Sequence, residues 1–170
     1  MKIAIVGRMC SGKTSLSNYI KTLYPTIHQI SFATKLKEIA VQLFDMKEKD
    51  RCLLQQIGAK MREIDENVFI TSTLRECNKY KNIIIDDVRF ENEVAVLYSQ
   101  GWVLIKLNIS DSLQETRIRD TYGSGWEQHI SRRNDESEVS IKKISNYHLT
   151  VDVDTDDVFV KVGDYLLQMF

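Results

Sequence analysis

The chain has a single proline, Pro25, and only seven glycines in 170 residues. Helices can therefore run without proline breaks, and most turns must come from Asn, Asp and Ser. Cysteine is equally scarce. Cys10, Cys52 and Cys77 form an odd set with no CxxC spacing, which argues against a disulfide scaffold or a zinc site and fits reduced thiols in a cytoplasmic compartment. His28, His129 and His148 are scattered, and no transition metal is expected. No apolar run approaches the roughly 18 residues of a membrane span. The opening MKIAIVGRMCSGKT is a short apolar stretch ending in glycine and charge, so neither a signal peptide nor a membrane segment is expected. Charge of one sign is missing too. Lys+Arg 23 against Asp+Glu 24 gives a net charge of −1, so nothing draws the whole molecule to nucleic acid or to an anionic membrane.

What is present is the alternation of a single α/β domain spanning residues 1–170. Strand-like runs rich in β-branched residues occur at 2–6, 27–32, 82–87, 102–107 and 148–153. Between them lie helical patterns. Leu16, Ile20 and Leu23 recur at i, i+4, i+7, and Leu36, Ile39, Ala40, Leu43 and Phe44 form a second stripe. Further helices are predicted at about 50–62, 66–78 and 91–99, with a last one after Thr155. This order predicts a mostly parallel sheet with helices on both faces. The stretch 121–135, TYGSGWEQHISRRND, has little periodicity and reads as an irregular loop and candidate lid.

One motif dominates. Gly7, Arg8, Met9, Cys10, Ser11, Gly12, Lys13 and Thr14 satisfy GxxxxGK[ST], with a strand before and an amphipathic helix after. The glycines let the backbone wrap so that successive N–H groups face an anion, and the helix start adds its positive end. Lys13 can reach the β- and γ-phosphates of ATP, and the Thr14 hydroxyl can ligate Mg²⁺. A chain of this length meets the string by chance on the order of once in a hundred, so nucleoside triphosphate binding is the expectation. Cys10, next to the helix start, is expected to have a lowered thiol pKa. A GTPase is disfavoured, because the nearest match to NKxD, Asn78-Lys79-Tyr80-Lys81, lacks the aspartate.

Two further clusters carry polar chemistry. The third strand runs into Asp86-Asp87-Val88-Arg89-Phe90-Glu91-Asn92-Glu93, at the strand end where ligands bind in this architecture. A carboxylate there can hold the Mg²⁺ shell and Arg89 can grip a phosphate; an Asp cap with an Arg89–Glu93 i,i+4 ion pair is the alternative. In the other cluster Arg51, Gln55, Gly58 and Arg62 share one helical stripe. Gly58 in mid-helix costs about 1 kcal/mol against alanine, and a ligand approaching the backbone would give it a reason.

Taken together, GRMCSGKT, SFATKLKEIA, RCLLQQIGAKMR followed by IDENVFI, and DDVRFENE resemble the deoxynucleoside monophosphate kinases of bacteriophages and large DNA viruses. The likeness runs in unbroken order to about residue 107 and weakens beyond it, where DESE at 135–138 is similar to a lid-end motif of that family. It implies a P-loop nucleoside monophosphate kinase fold in three layers. The five parallel strands would lie in the order 2-3-1-4-5, with an acceptor-binding helical part at about 33–80 and a mobile lid at about 117–137. The activity implied is transfer of the γ-phosphoryl group of ATP to a deoxynucleoside 5′-monophosphate with Mg²⁺, in the host cytoplasm if the source is viral. A homodimer is compatible with it.

By that resemblance Gly7 to Thr14 hold the donor, while Arg51, Gln55, Gly58, Asp87, Arg89 and Glu93 match positions for acceptor binding or catalysis. Lys35, Arg62 and Phe69 are further acceptor candidates, Arg117 is a donor-side candidate, and Arg132 and Arg133 are catalytic lid candidates. Asp87 and Thr14 are the metal candidates. The competing readings are a P-loop kinase for another phosphorylated small molecule, as in animal phosphomevalonate kinase, and a nucleotide-binding module without turnover.

Overall fold

The computed structural model describes residues 1–170 except Arg132, Asn134 and Asp156, and the backbone alone of Glu136, Ser137, Lys142 and Lys143. Five parallel strands form its centre: β1 Lys2–Gly7, β2 His28–Ile30, β3 Ile83–Val88, β4 Val103–Asn108 and β5 Leu149–Asp152. Their spatial order is 2-3-1-4-5, as the sequence resemblance implies. The flanking helices are α1 Lys13–Leu23, α2 Ala33–Phe44, α3 Arg51–Ile64, α4 Val68–Cys77, α5 Glu91–Ser99, α6 Asp111–Tyr122, α7 Trp126–Ser131, α8 Glu136–Lys143 and α9 Val158–Met169. Among the described residues none is long and apolar enough to cross a membrane.

β1 lies between β3 and β4 and is buried on both faces, so its side chains feed two cores. Ile3 and Ile5 pack with Leu16 and Ile20 of α1 and Val162 and Leu166 of α9. Ala4 and Val6 pack on the opposite face with Ile70 of α4, Val94 and Leu97 of α5, Ile141 of α8 and Trp102, which is fully buried. A third, smaller cluster lies apart from the sheet: Ala40 of α2 with Leu54 and Ile57 of α3.

The stretch 121–135 differs from expectation. It holds the last turn of α6, a 3₁₀ turn at Gly123–Gly125 and all of α7. Its helices escape sequence periodicity because they bury little: in α6 only Gln114 and Ile118 are buried, and none of the residues of α7 is. The start of α6 is fixed by its cap instead, Ser110 Oγ accepting from Leu113 N–H at 3.2 Å.

Candidate active site

The phosphate-binding motif lies between β1 and α1, at the carboxyl edge of the central strand. Gly7 ends β1 where no side chain fits: a Cβ there would stand 2.5 Å from Ser11 Oγ and 3.2 Å from the Leu107 carbonyl oxygen. The loop then turns through two left-handed residues, Cys10 at φ 59° and Gly12 at φ 94°. Ser11 N–H closes it by donating to Arg8 O at 3.2 Å. The Ser11 hydroxyl is buried and has no hydrogen-bond partner among the described residues.

Lys13 does not reach outward. Its Nζ donates to Gly7 O at 2.6 Å and to Arg8 O at 2.7 Å. Burial, and next the positive charge of Arg89, lower its pKa to about 7, so the arrival of phosphate charge would restore its full protonation. For Cys10 the expectation fails. Burial outweighs the nearby Lys13 charge and raises the thiol pKa, which makes Cys10 a poor nucleophile. Arg8 turns away from the loop to Asp111 of α6, 2.6 Å, and holds that carboxyl down at about 2 together with Arg133.

The acidic end of β3 performs two tasks. Asp87 accepts from the Ser31 hydroxyl, from Phe32 N–H at 3.0 Å and from Ala33 N–H at 3.0 Å. It thereby caps α2, whose N-cap residue Phe32 has no side chain able to do so. A carboxylate has about four lone-pair sites, so these three donors leave room for one more ligand. Asp86 accepts from Gln29 at 2.9 Å, and burial raises its pKa. Among the described residues no group of three or more His, Cys, Asp or Glu could hold a metal ion. The donor set, Thr14 with one carboxylate, suits Mg²⁺, which usually keeps several waters and takes its remaining ligands from substrate phosphates.

Glu93 and Arg89 do not form the i,i+4 ion pair that their spacing suggests. Glu93, 3% exposed, accepts instead from the backbone N–H groups of Arg89 and Phe90, at 2.8 and 3.1 Å. It reaches back over the first turn of α5 as a capping glutamate, and burial raises its pKa to about 7. The Arg89 guanidinium is thus free of Glu93, and its Nη1 donates to Glu138 Oε1 at 2.7 Å.

α3 faces the segment that carries Tyr122, His129 and Asp135. Arg51 donates through Nη2 to the Tyr122 hydroxyl at 2.6 Å, and its Nη1 lies 3.0 Å from His129 Nδ1. Tyr122 and His129 stack with ring centroids 3.6 Å apart. Gln55 donates to Asp135 at 2.9 Å. The Arg62 guanidinium lies over Phe69 and Phe90, 4.9 and 4.3 Å from their centroids. Gly58 leaves no open gap: a Cβ there would meet Arg62 Nη1 at 3.0 Å and Leu36 Cδ2 at 3.6 Å. Its missing side chain leaves room for the course of Arg62, whereas Leu36 of α2 stands at ordinary contact distance.

Not all candidates gather at the site. Lys35 is exposed and pairs with Glu38 at 2.5 Å on the surface of α2. Arg133 pairs with Asp111 at 2.7 Å and lies 3.7 Å from Glu115. Arg117 does reach the loop, donating to Cys10 O at 3.3 Å, while the Arg119 guanidinium covers the half-buried Trp126 at 4.1 Å. Arg132 lies outside the described residues.

Two residues emerge that sequence alone left unassigned. Gln114 of α6 donates to Met9 O at 2.9 Å. Glu138 of α8 accepts from Met9 N–H through both oxygens, at 2.8 and 3.1 Å. Its only signal in sequence was its place at the end of DESE.

No family model matches the chain, and no curated protein matches it by sequence. Solved structures do. Shikimate kinase from Aquifex aeolicus is similar at TM-score 0.58 and 14% identity, over 99% of this chain and 97% of that one. Shikimate kinase from Bacteroides thetaiotaomicron is similar at TM-score 0.60 and 13% identity, over 98% and 96%. A deoxyadenosine kinase from M. mycoides, solved with the products dCMP and dCDP, is similar at TM-score 0.55 and 16% identity, over the whole of both chains. The chain has the P-loop kinase fold.

Proposed function

We propose that the protein is an ATP-dependent deoxynucleoside monophosphate kinase, which transfers the γ-phosphoryl group of ATP to a deoxynucleoside 5′-monophosphate and releases ADP and the diphosphate. One observation carries the reading. A nucleotide-binding loop and a second cationic centre, Arg89, meet at the same edge of the sheet, and a lid joins them to a helix bearing Arg51 and Gln55. That arrangement suits two phosphorylated substrates, brought end to end.

Phosphoryl transfer passes through a loose transition state, so catalysis is chiefly in-line positioning and cation placement, with no strong general base required. The loop N–H groups and Lys13 hold the donor phosphates, with Arg117 beside them on the loop. Arg89, fixed in direction by Glu93 through its backbone, meets the acceptor phosphate. Arg51, Gln55, Arg62 and Phe69 form the acceptor wall. Thr14 and Asp87 would hold Mg²⁺, which would supply neutralisation of the charge that develops on the phosphates. Lid closure excludes water that would otherwise take the phosphoryl group. The 3₁₀ turn at Gly123–Gly125 is the natural hinge.

The test is ADP release from Mg²⁺-ATP in the presence of each ribo- and deoxynucleoside monophosphate in turn, with Lys13→Ala as the blank. Turnover dependent on a deoxynucleotide acceptor is the expected result. Absence of turnover with every nucleotide, alongside intact ATP binding, would instead favour a kinase for another phosphorylated small molecule or a regulatory module.

A further inference from the structure

The Glu138 carboxylate is 3% exposed, and a buried carboxylate is tolerated only where donors replace its water. Its donors are telling. They are the Met9 N–H of the phosphate-binding loop, at 2.8 and 3.1 Å, and Nη1 of Arg89, at 2.7 Å. One belongs to the donor half of the site and the other to the acceptor half, so the carboxylate bridges the two halves between which a phosphoryl group must travel. Lys13 stands near enough for the Glu138 charge to act on it. A carboxylate and a phosphoryl group are both anions that accept hydrogen bonds from N–H donors. They cannot share two donors, because like charges at contact distance repel strongly in a buried site.

We infer that Met9 N–H and the Arg89 guanidinium form the seat of the transferring phosphoryl group, and that Glu138 holds this seat as a carboxylate placeholder until the γ-phosphate displaces it. This rests on the kinase reading above. It also gives α8 a function beyond packing. Glu138 sits in the first turn of α8, whose Ile141, with Ile144 just past the helix end, is anchored in the core, so the carboxylate can swing away while the helix stays in place. Exchange of one anion for another keeps Arg89 oriented and the loop N–H paired, and makes tight occupancy depend on the third phosphate of the nucleotide.

The experiment is calorimetric titration of the full chain with Mg²⁺-ADP and with Mg²⁺-ATP, using wild type, Glu138→Gln and Glu138→Asp. Gln removes the charge and keeps the shape; Asp keeps the charge but is one methylene too short to hold both donors. Either variant should bind ATP roughly tenfold more tightly than wild type, as expected for loss of a competing charge-assisted contact, with ADP affinity unchanged within about twofold. Should Gln fail to fold at this buried position, Asp decides alone. ATP affinity that is unchanged, or that weakens in parallel with ADP affinity as a merely structural glutamate would require, overturns the placeholder and leaves the kinase reading intact. No binding of either nucleotide by any of the three proteins overturns both.

Discussion

The two halves of the site are held by different kinds of atoms. On the donor side, the loop is tied by main chain: Gly7 admits no side chain, Ser11 N–H closes on Arg8 O, and Lys13 lies against two carbonyl oxygens. It is rooted in a strand buried on both faces. On the proposed acceptor side, α3 is joined to residues 122–135 by side chains, Arg51 to Tyr122 and Gln55 to Asp135, over a small core of Ala40, Leu54 and Ile57. Main-chain geometry on a buried strand fixes position to within fractions of an ångström. Polar side-chain contacts are exchanged with water at little net cost, which suits the lid motion proposed for this half.

If this division is right, substitutions on the two sides should fail differently. Lys13→Ala should cause the largest loss, lowering kcat roughly 10²- to 10³-fold as a lost charge-stabilising contact does, with the fold intact by circular dichroism. Arg89→Ala should raise the acceptor KM by about ten- to a hundredfold, the range of a charge-assisted hydrogen bond, without weakening ADP binding. An unchanged acceptor KM would dissolve the distinction. Tyr122→Phe removes one bond between lid and α3, of about 0.5–1.5 kcal/mol net, so its acceptor KM should rise by no more than about tenfold while kcat holds.

The smallest effect on rate should come from Glu93→Gln, whose signature is in stability. Burial raises the Glu93 carboxyl from 4.5 to about 7. Below pH 4.5 the group is protonated both folded and unfolded, and no difference arises. Between 4.5 and 7 the unfolded chain ionises while the folded one keeps its proton, so stability falls as pH rises through this window. Melting temperatures measured from pH 4 to 8 should show that fall in wild type and less of it in Glu93→Gln. An identical slope in both proteins would mean that Glu93 titrates normally.

The sheet was legible because each strand is a short run of β-branched residues, and the loop because its spacing answers a geometric need for an anion nest. Short polar helices were not. α6 and α7 bury almost nothing, so no apolar stripe marked them. Contacts between distant residues were equally hidden. That Asp87 caps α2 depends on β2 and β3 lying side by side, and that Arg89 turns to Glu138 depends on a helix nearly fifty residues further along. Gly58 stands out in sequence by its cost in a helix, but the side chain that takes the space of its Cβ, Arg62 of the same helix, becomes visible only in three dimensions.

The two tryptophans sit in opposite circumstances, Trp102 sealed in the core and Trp126 half-exposed under Arg119 on the lid. The protein therefore carries its own pair of optical reporters. Emission from Trp126 should respond to nucleotide at constant temperature, while that of Trp102 should hold until the sheet comes apart. With Trp126→Phe as the reference, the proposed motion of the segment around Trp126 and the melting of the body become separately visible in one cuvette.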